Sequence, residues 1–284
     1  MSPSFAPLPL VILEPLVRAA LIEDLGPNGD VTTRAVIAPD TTYEARIVAR
    51  EPGVVSGLDL ARLAFHLVDP DLKVAARCTD GQHCPPGEVL MEVSGRAASI
   101  LSGERVALNF MGRLMGIATQ TAAFVAETRG THTRITCTRK TTPGLRAVEK
   151  LAVLHGGGSN HRYGLSDAIL IKDNHIAAAG GIAAVLKAAR AAASHMMRIE
   201  IEVDTLAQLD EVLATGGADV VLLDNMDTAT LTDAVARVGG RLVTEASGNM
   251  RLARIAEVAA TGVDFISVGA LTHSVKVVDI GLDF

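Results

Sequence analysis

From about residue 104 onward the chain keeps one rhythm: a short apolar strand, a turn, a helix-periodic stretch, then the next strand. Candidate strands fall at 134–138, 168–172, 198–203, 219–223, 241–246 and 264–268, with candidate helices at 144–154, 177–193, 205–215, 228–238 and 251–260. Strict βα alternation with hydrophobic strands predicts a parallel sheet covered by helices. No Gly-x-Gly-x-x-Gly follows a strand and no phosphate-binding P-loop is present, so a doubly wound nucleotide fold lacks its signature. Polar residues instead stand at the C-terminal end of nearly every strand, where α/β barrels place their sites.

The first third has a different pattern. Residues 8–25 suit a helix ending near Gly26-Pro27, residues 42–50 alternate like a strand, and residues 58–68 return to helical spacing. Val89, Met91 and Val93 alternate with Glu88, Leu90 and Glu92 after the turn Pro85-Pro86-Gly87. These segments predict a small, largely antiparallel sheet with helices on one face. A long helix, 103–128, leads into the repeating half, and Val275 to Ile280 reads as a last strand that returns to the first domain.

Charge placement carries the first functional clue. The chain totals −6, and such an acidic chain, with 3% aromatics, lacks the basic face and stacking platforms of a nucleic-acid binder. Between Arg134 and Arg162, however, Arg134, Arg139, Lys140, Arg146, Lys150 and Arg162 face Glu149 alone, a net of +5 that leaves −11 for the remainder. Arg134 and Lys150 are expected to be solvated. Cys78, Cys84 and Cys137 form no disulfide framework and no zinc spacing, so free thiols in a reducing compartment are expected. The run Leu8 to Leu13 has no basic leader and no stretch reaches the ~18–20 apolar residues of a membrane span, so the expectation is a soluble, cytoplasmic protein that binds no membrane.

Strand parity sharpens the clue. In 198–203, Ile199, Ile201 and Val203 share one face and Glu200 and Glu202 the other. The apolar face must meet the helices, which turns both glutamates into the barrel. By the same parity Lys172 faces in with Ala168 and Leu170, and Asp224 follows Val220 and Leu222. Lys172, Glu202 and Asp224 are therefore predicted to share one mouth. An internal ion-pair network would explain these three, but it leaves Arg139-Lys140 and His161-Arg162 in excess. Surplus cations beside two inward carboxylates suit a polyanion gripped by arginine forks, with Glu202 and Asp224 holding Mg²⁺ directly or through water. Ser247-Gly248-Asn249 and Gly269-Ala270 offer backbone N–H groups for a phosphate. Each glycine signal alone, including Gly156-Gly157-Gly158, is equally a turn.

The segments Thr138-Arg139-Lys140-Thr141-Thr142-Pro143-Gly144-Leu145-Arg146, Gly156-Gly157-Gly158-Ser159-Asn160-His161-Arg162 and Ile171-Lys172-Asp173-Asn174-His175 strongly resemble quinolinate phosphoribosyltransferases (nicotinate-nucleotide pyrophosphorylases, carboxylating). Leu222-Leu223-Asp224-Asn225, Glu245-Ala246-Ser247-Gly248, Ser267 to His273, Glu23-Asp24, Gly29 to Thr33 and Gly103-Glu104-Arg105 continue the likeness in order along the chain. Cys137, Met115 and His155 depart from residues common in that family. The resemblance implies an α/β fold with an N-terminal α/β sandwich (1–115, with 275–284 returning to it) and an incomplete, roughly seven-stranded α/β barrel (116–274). It implies transfer of the phosphoribosyl group of phosphoribosyl pyrophosphate (PRPP) to quinolinate with decarboxylation. Arg105 of a partner subunit, Thr138, Arg139, His161, Arg162 and Lys172 would bind quinolinate, and Lys140 would lie near the pyrophosphate or ribosyl phosphate. Lys140, Lys172, Glu202 and Asp224 would be catalytic, Glu202 and Asp224 would carry Mg²⁺, and Ser247, Gly248, Asn249, Gly269 and Ala270 would hold phosphate. The assembly implied is a homodimer or a group of dimers. Rival readings are a molybdenum-operon homologue, a nicotinate phosphoribosyltransferase, and a non-catalytic phosphate-ligand binder on the same barrel.

Overall fold

A computed structural model describes residues 7–284; the first six residues of the expected sandwich domain lie outside the described residues. In chain order the N-terminal elements are α1 (Leu10–Leu25), α2 (Val31–Val36), β1 (Thr42–Ala49), β2 (Gly53–Val54), α3 (Leu58–Val68), β3 (Lys73–Ala76), β4 (His83–Cys84), β5 (Val89–Arg96) and α4 (Ala97–Ala126). There follow β6 (Arg134–Thr136), α5 (Arg146–His155), β7 (Ile169–Ile171), α6 (Asp173–Ala179), α7 (Ile182–Ala192), β8 (Ile199–Val203), α8 (Leu206–Thr215), β9 (Val220–Asp224), α9 (Thr228–Val238), β10 (Val243–Ser247), α10 (Leu252–Ala259), β11 (Phe265–Ser267), α11 (Ala270–His273) and β12 (Ile280–Asp283). The chain forms two compact units, one of Met1–Ala122, Thr141–Gly157 and Leu271–Phe284, the other of Ala123–Lys140 and Gly158–Ala270. The boundary expected between residues 115 and 116 falls inside α4.

The first unit holds an antiparallel sheet in the order β12-β1-β5-β3. Ala45 and Ile47 of β1 lie opposite Val93 and Met91 of β5, and all four are buried, as the alternation requires. α3 buries Leu60, Ala61, Ala64 and Phe65, which are spaced for one helix face. The last strand occupies Ile280–Asp283 rather than Val275–Ile280, and pairs with β1. The preceding residues run irregularly against α4, where the carbonyl of Lys276 would lie 2.2 Å from a Cβ at Gly116 and Val278 N–H bonds the Gly112 carbonyl at 3.0 Å. That close approach exists because α4 is bare at these positions.

Polar groups buried in this unit are well satisfied. Glu149 is fully buried and accepts from Arg113 Nε at 2.9 Å, Arg113 Nη2 at 2.6 Å and the Thr142 amide at 3.1 Å. Arg113 Nη2 also donates to Thr142 Oγ1 and the Thr272 carbonyl. The His155 ring meets Ser56 Oγ at 2.9 Å, and burial pushes its pKa down to about 4. Arg96 and Ser99 bond Asp69, and the Arg96 guanidinium holds that carboxyl well below its usual range. Lys150, expected to be solvated, is buried: α5 sets it next to Glu149 among its inward positions.

The second unit is a six-stranded parallel sheet, β6-β11-β10-β9-β8-β7, with α7 to α10 connecting successive strands. β6 and β7 do not pair with each other, so the barrel is not closed. A seventh strand exists only as one residue: Ser159 forms an isolated parallel bridge to Thr136, through Ser159 N to the Ile135 carbonyl and Cys137 N to the Ser159 carbonyl. Glycines just before Ser159 disfavour a longer strand there. The helix expected at 177–193 is two helices, α6 and α7, separated by Gly180-Gly181. Ile199, Ile201, Val203, Val221 and Leu223 are completely buried on the sheet's outer face, as parity predicts. Arg134 is exposed and stacks over the Phe265 ring at 5.7 Å. Cys78, Cys84 and Cys137 are buried and none is in a disulfide. Among the described residues, no helix is long and apolar enough to cross a membrane.

Candidate active site

The parallel registers place the candidate residues in layers. Leu170, Glu200, Val220 and Val243 lie level across β7 to β10. One pleat further toward the C-terminal ends come Glu202, Leu222 and Glu245 with Phe265, and beyond these Asp224 beside Ser247. Side chains alternate along each strand, so these residues line the inside of the sheet while the intervening valines and isoleucines meet the helices. Glu200 and Glu245 are buried, Glu202 and Asp224 half-buried, in keeping with a depth that decreases toward the mouth.

At the mouth Lys172 pairs with Glu202, its own side chain remaining 47% exposed. The Lys172 amide donates to His175 Nδ1 at 2.9 Å as α6 begins. Asp224 Oδ2 accepts from Asn225 Nδ2 at 2.5 Å. Asn225 has positive φ, its amide reaches the Ser247 carbonyl at 3.0 Å, and Asn249 Nδ2 donates to Asn225 Oδ1 at 3.3 Å. These bonds stitch the end of β9 to the loop after β10. Gly248 is required there: its φ is +93°, and a Cβ would lie 2.2 Å from Asn225 Oδ1. The turn is thus a built part of the mouth.

Two loops supply the cations: the one after β6 carries Arg139 and Lys140, and the one between α5 and β7 carries Arg162. Thr138 Oγ1 accepts from the Lys140 amide at 3.1 Å, with Lys140 exposed and Arg139 half-buried. Arg162 Nη1 donates to the Ala168 carbonyl at 3.0 Å. The Nε atoms of Arg139 and Arg162 are both buried and have no hydrogen-bond partner. Burial, and next the charge of Arg139, lower the pKa of Arg162, so the two half-buried guanidiniums stand within each other's field. Such an arrangement is costly without an anion between or above them.

His161 points inward from the loop between α5 and β7, beside Arg162. Its Nε2 lies 2.8 Å from Glu200 Oε2 and 3.8 Å from Glu245 Oε1, and its Nδ1 accepts the Arg162 amide at 2.8 Å. An amide donor can meet only an unprotonated Nδ1, so the ring proton sits on Nε2, toward Glu200. Burial first, then the Glu200 charge, push Glu245 up to about 7, with His161 opposing. The partnership of His161 with two carboxylates was not foreseen. The inward parity of Glu245, shared with Val243 and Ser247, was the available signal.

Thr138, Arg139, Lys140, His161, Arg162, Lys172, Glu202, Asp224, Ser247, Gly248, Asn249, Gly269 and Ala270 all belong to the second unit. Arg105 does not: it lies on α4 in the first unit, 63% exposed, with Glu104 at 4.0 Å.

Comparison with known proteins identifies the family. Residues 30–115 match the family described as quinolinate phosphoribosyl transferase, N-terminal domain, and residues 117–283 its C-terminal domain. The chain is 46% identical over 272 residues to the nicotinate-nucleotide pyrophosphorylase [carboxylating] of Mycobacterium leprae, covering 94% of this chain and 95% of the relative. It is 44% identical over 271 residues to the probable nicotinate-nucleotide pyrophosphorylase [carboxylating] of Bacillus subtilis, covering 95% and 93%. The structure of the nicotinate-nucleotide pyrophosphorylase from Francisella tularensis superposes with a TM-score of 0.93 at 39% identity, covering 98% of this chain and 97% of that one. Sequence match and fold extend over both halves of the molecule, and on that ground the chain belongs to the quinolinate phosphoribosyltransferase family.

Proposed function

We propose that the protein transfers the phosphoribosyl group of PRPP to quinolinate, releasing pyrophosphate and CO₂ and forming nicotinate mononucleotide, a step of de novo NAD biosynthesis. The observation that carries this reading is the pair of buried, unpartnered Nε atoms on Arg139 and Arg162. A dicarboxylate brings two anions to two guanidiniums, and a fork geometry can accept each carboxylate at two points. A monocarboxylate such as nicotinate would neutralise fewer of the charges gathered there.

Arg139, Arg162 and Lys172 hold the quinolinate carboxylates, with Thr138 and His161 completing the pocket. Lys140, exposed at the end of its loop, meets the pyrophosphate or ribosyl phosphate. Ser247, Gly248, Asn249, Gly269 and Ala270 present backbone N–H groups to phosphate. As pyrophosphate departs, the anomeric carbon gains positive character, and the carboxylates of Glu202 and Asp224 stabilise it from one side. The pyridine nitrogen then attacks that carbon. The ring nitrogen becomes quaternary, the bond to the 2-carboxylate breaks, and its electron pair is left on the ring carbon, which takes a proton. The protein's main task is to bring two anions together and offset their repulsion. Glu202 and Asp224 also fit Mg²⁺: they are hard oxygen donors on adjacent strands at the half-buried mouth. When bound there, the ion would offset charge on the pyrophosphate.

The test is direct: purified protein is given PRPP with quinolinate or with nicotinate, and nucleotide, pyrophosphate and CO₂ are measured. Nucleotide and CO₂ in equal amounts from quinolinate is the expected result. Faster turnover of nicotinate without CO₂ would overturn it. We also place Arg105 in the active site of a partner subunit within a homodimer. Mixing Arg105→Ala and Lys172→Ala subunits should then restore part of the activity that each variant lacks alone, and no recovery would reject the shared site. Three buried cysteines outside any disulfide favour a reducing, cytoplasmic location.

A further inference from the structure

Behind His161 lie two buried carboxylates that the proposed reaction does not use. Glu200 and Glu245 reach inward from β8 and β10, two strands that flank β9. Their side chains are 9% and 6% exposed, and each leaves Oε1 without a hydrogen-bond partner. Both face Nε2 of the His161 ring, which donates to Glu200 Oε2, while Nδ1 accepts the Arg162 amide. A continuous path therefore runs from the sheet, through one imidazole, to the backbone of an arginine whose Nε is buried and unpartnered.

The path is directional. An imidazole bonded at both nitrogens has its ring plane and tautomer set, and cannot turn without breaking one bond. Glu200 sits on a strand of the parallel sheet, whereas residues 160–168 form an irregular loop. The rigid member is thus the carboxylate, and the positioned member is the loop that carries Arg162. We propose that Glu200, acting through His161, is a positioning residue for quinolinate: it locks the imidazole and with it the backbone that aims Arg162, while Glu245 stands farther from the same nitrogen. This rests on the reading above, in which His161 and Arg162 face quinolinate. Glu245 contributes differently from Glu200. It lies 3.8 Å from Nε2, beyond hydrogen-bond distance, and its burial beside a second carboxylate favours the neutral acid. A neutral acid is close in shape and charge to glutamine, so the two glutamates should respond unequally to the same substitution.

Glu200→Gln is expected to raise the KM for quinolinate by roughly tenfold or more, the loss typical of one hydrogen bond to a charged group. The KM for PRPP should stay within about twofold, because the PRPP-facing residues are not on this path. Glu245→Gln should raise the quinolinate KM several-fold less than Glu200→Gln. In a His161→Asn background, Glu200→Gln should add nothing further, since the path is already cut. Equal effects of the two glutamine substitutions, a parallel rise in both KM values, or additivity with His161→Asn would each overturn the proposal. Nitrogen-15 NMR of histidine-labelled wild-type protein reads the clamp without any variant at Glu200. The resonance that His161→Asn removes should show the Nε2–H tautomer; an Nδ1–H tautomer would overturn the proposal even if Glu200→Gln does not fold. The three side chains also offer ligand atoms within 4.8 Å of one another. A stoichiometric transition metal in the purified protein, lost in Glu200→Gln, would replace the positioning role with a metal site. If wild-type protein fails to turn over quinolinate, the functional reading falls, while the tautomer still reports on the clamp by itself.

Discussion

Glu149 in the first unit and Glu245 in the second are both buried carboxylates, yet their surroundings differ. Both oxygens of Glu149 are bonded, to Arg113 and to the Thr142 amide. Glu245 keeps Oε1 unpartnered, and among the described residues the other buried side-chain atoms in that condition are Glu200 Oε1, Arg139 Nε and Arg162 Nε, every one in the second unit. Asp69, His155 and Glu149 repeat the satisfied pattern in the first unit. Buried polar groups that only hold a fold are paired within it; buried groups left unpaired mark a place with another task, here the proposed pocket and the carboxylates behind it. The contrast locates the site independently of any motif.

The contrast can be broken from either side, and the largest loss should come from the paired side. Glu149→Ala strands a partly buried Arg113 and the Thr142 amide, and should destabilise the protein by ~3–5 kcal/mol, read by urea unfolding. A loss below ~1 kcal/mol would show that this network is not structural. On the unpaired side, Arg139→Ala and Arg162→Ala should leave the unfolding midpoint nearly unchanged and weaken quinolinate binding by ~2–5 kcal/mol, seen as a raised KM. Unaltered kinetics would remove both from the pocket. Glu202→Ala or Asp224→Ala should lower kcat by about 100-fold and flatten its dependence on added Mg²⁺. A wild-type metal response in both variants would make these carboxylates structural.

The smallest effect concerns pH. His155 has a folded pKa of about 4 against an ordinary 6.5, so the fold favours the neutral ring. Its contribution is complete above pH 6.5 and is lost as pH falls toward about 4. Asp80 acts oppositely: burial raises it from 3.8 to about 6, so its contribution is present below 3.8 and lost as pH rises through about 6. Comparing wild type with His155→Asn cancels Asp80 and isolates the histidine. Equal slopes between pH 6.5 and 4 in the two proteins would show that the ring is not held neutral.

Much of the architecture was legible because the signals are local. The six barrel strands appear close to the expected positions, since apolar alternation and flanking turns are read over a few residues. Parity placed Glu200 inside from its neighbours Ile199 and Ile201 alone. β3, with the weakly apolar Lys73–Ala76, carried no such contrast and was missed, as were the two-residue strands β2 and β4. The long helix at 177–193 failed because Gly180-Gly181 interrupts an otherwise helix-favouring alanine-rich run. Charge alone places Lys150 in solvent; α5 turns it inward beside Glu149.

By itself the sequence determined the α/β class, the family and the list of residues around the mouth, because strand period, helix period and the segments Thr138 to Arg146, Gly156 to Arg162 and Ile171 to His175 are local facts. Only the tertiary structure decided which partners those residues take. Glu200 and Glu245 stand 45 positions apart and meet one imidazole because parallel pairing through β9 brings β8 and β10 close together. Arg113 finds Glu149 because α4 and α5 meet in one core. Charge in the chain is a count, but satisfaction of charge depends on distance and burial, and those exist only once the chain has folded.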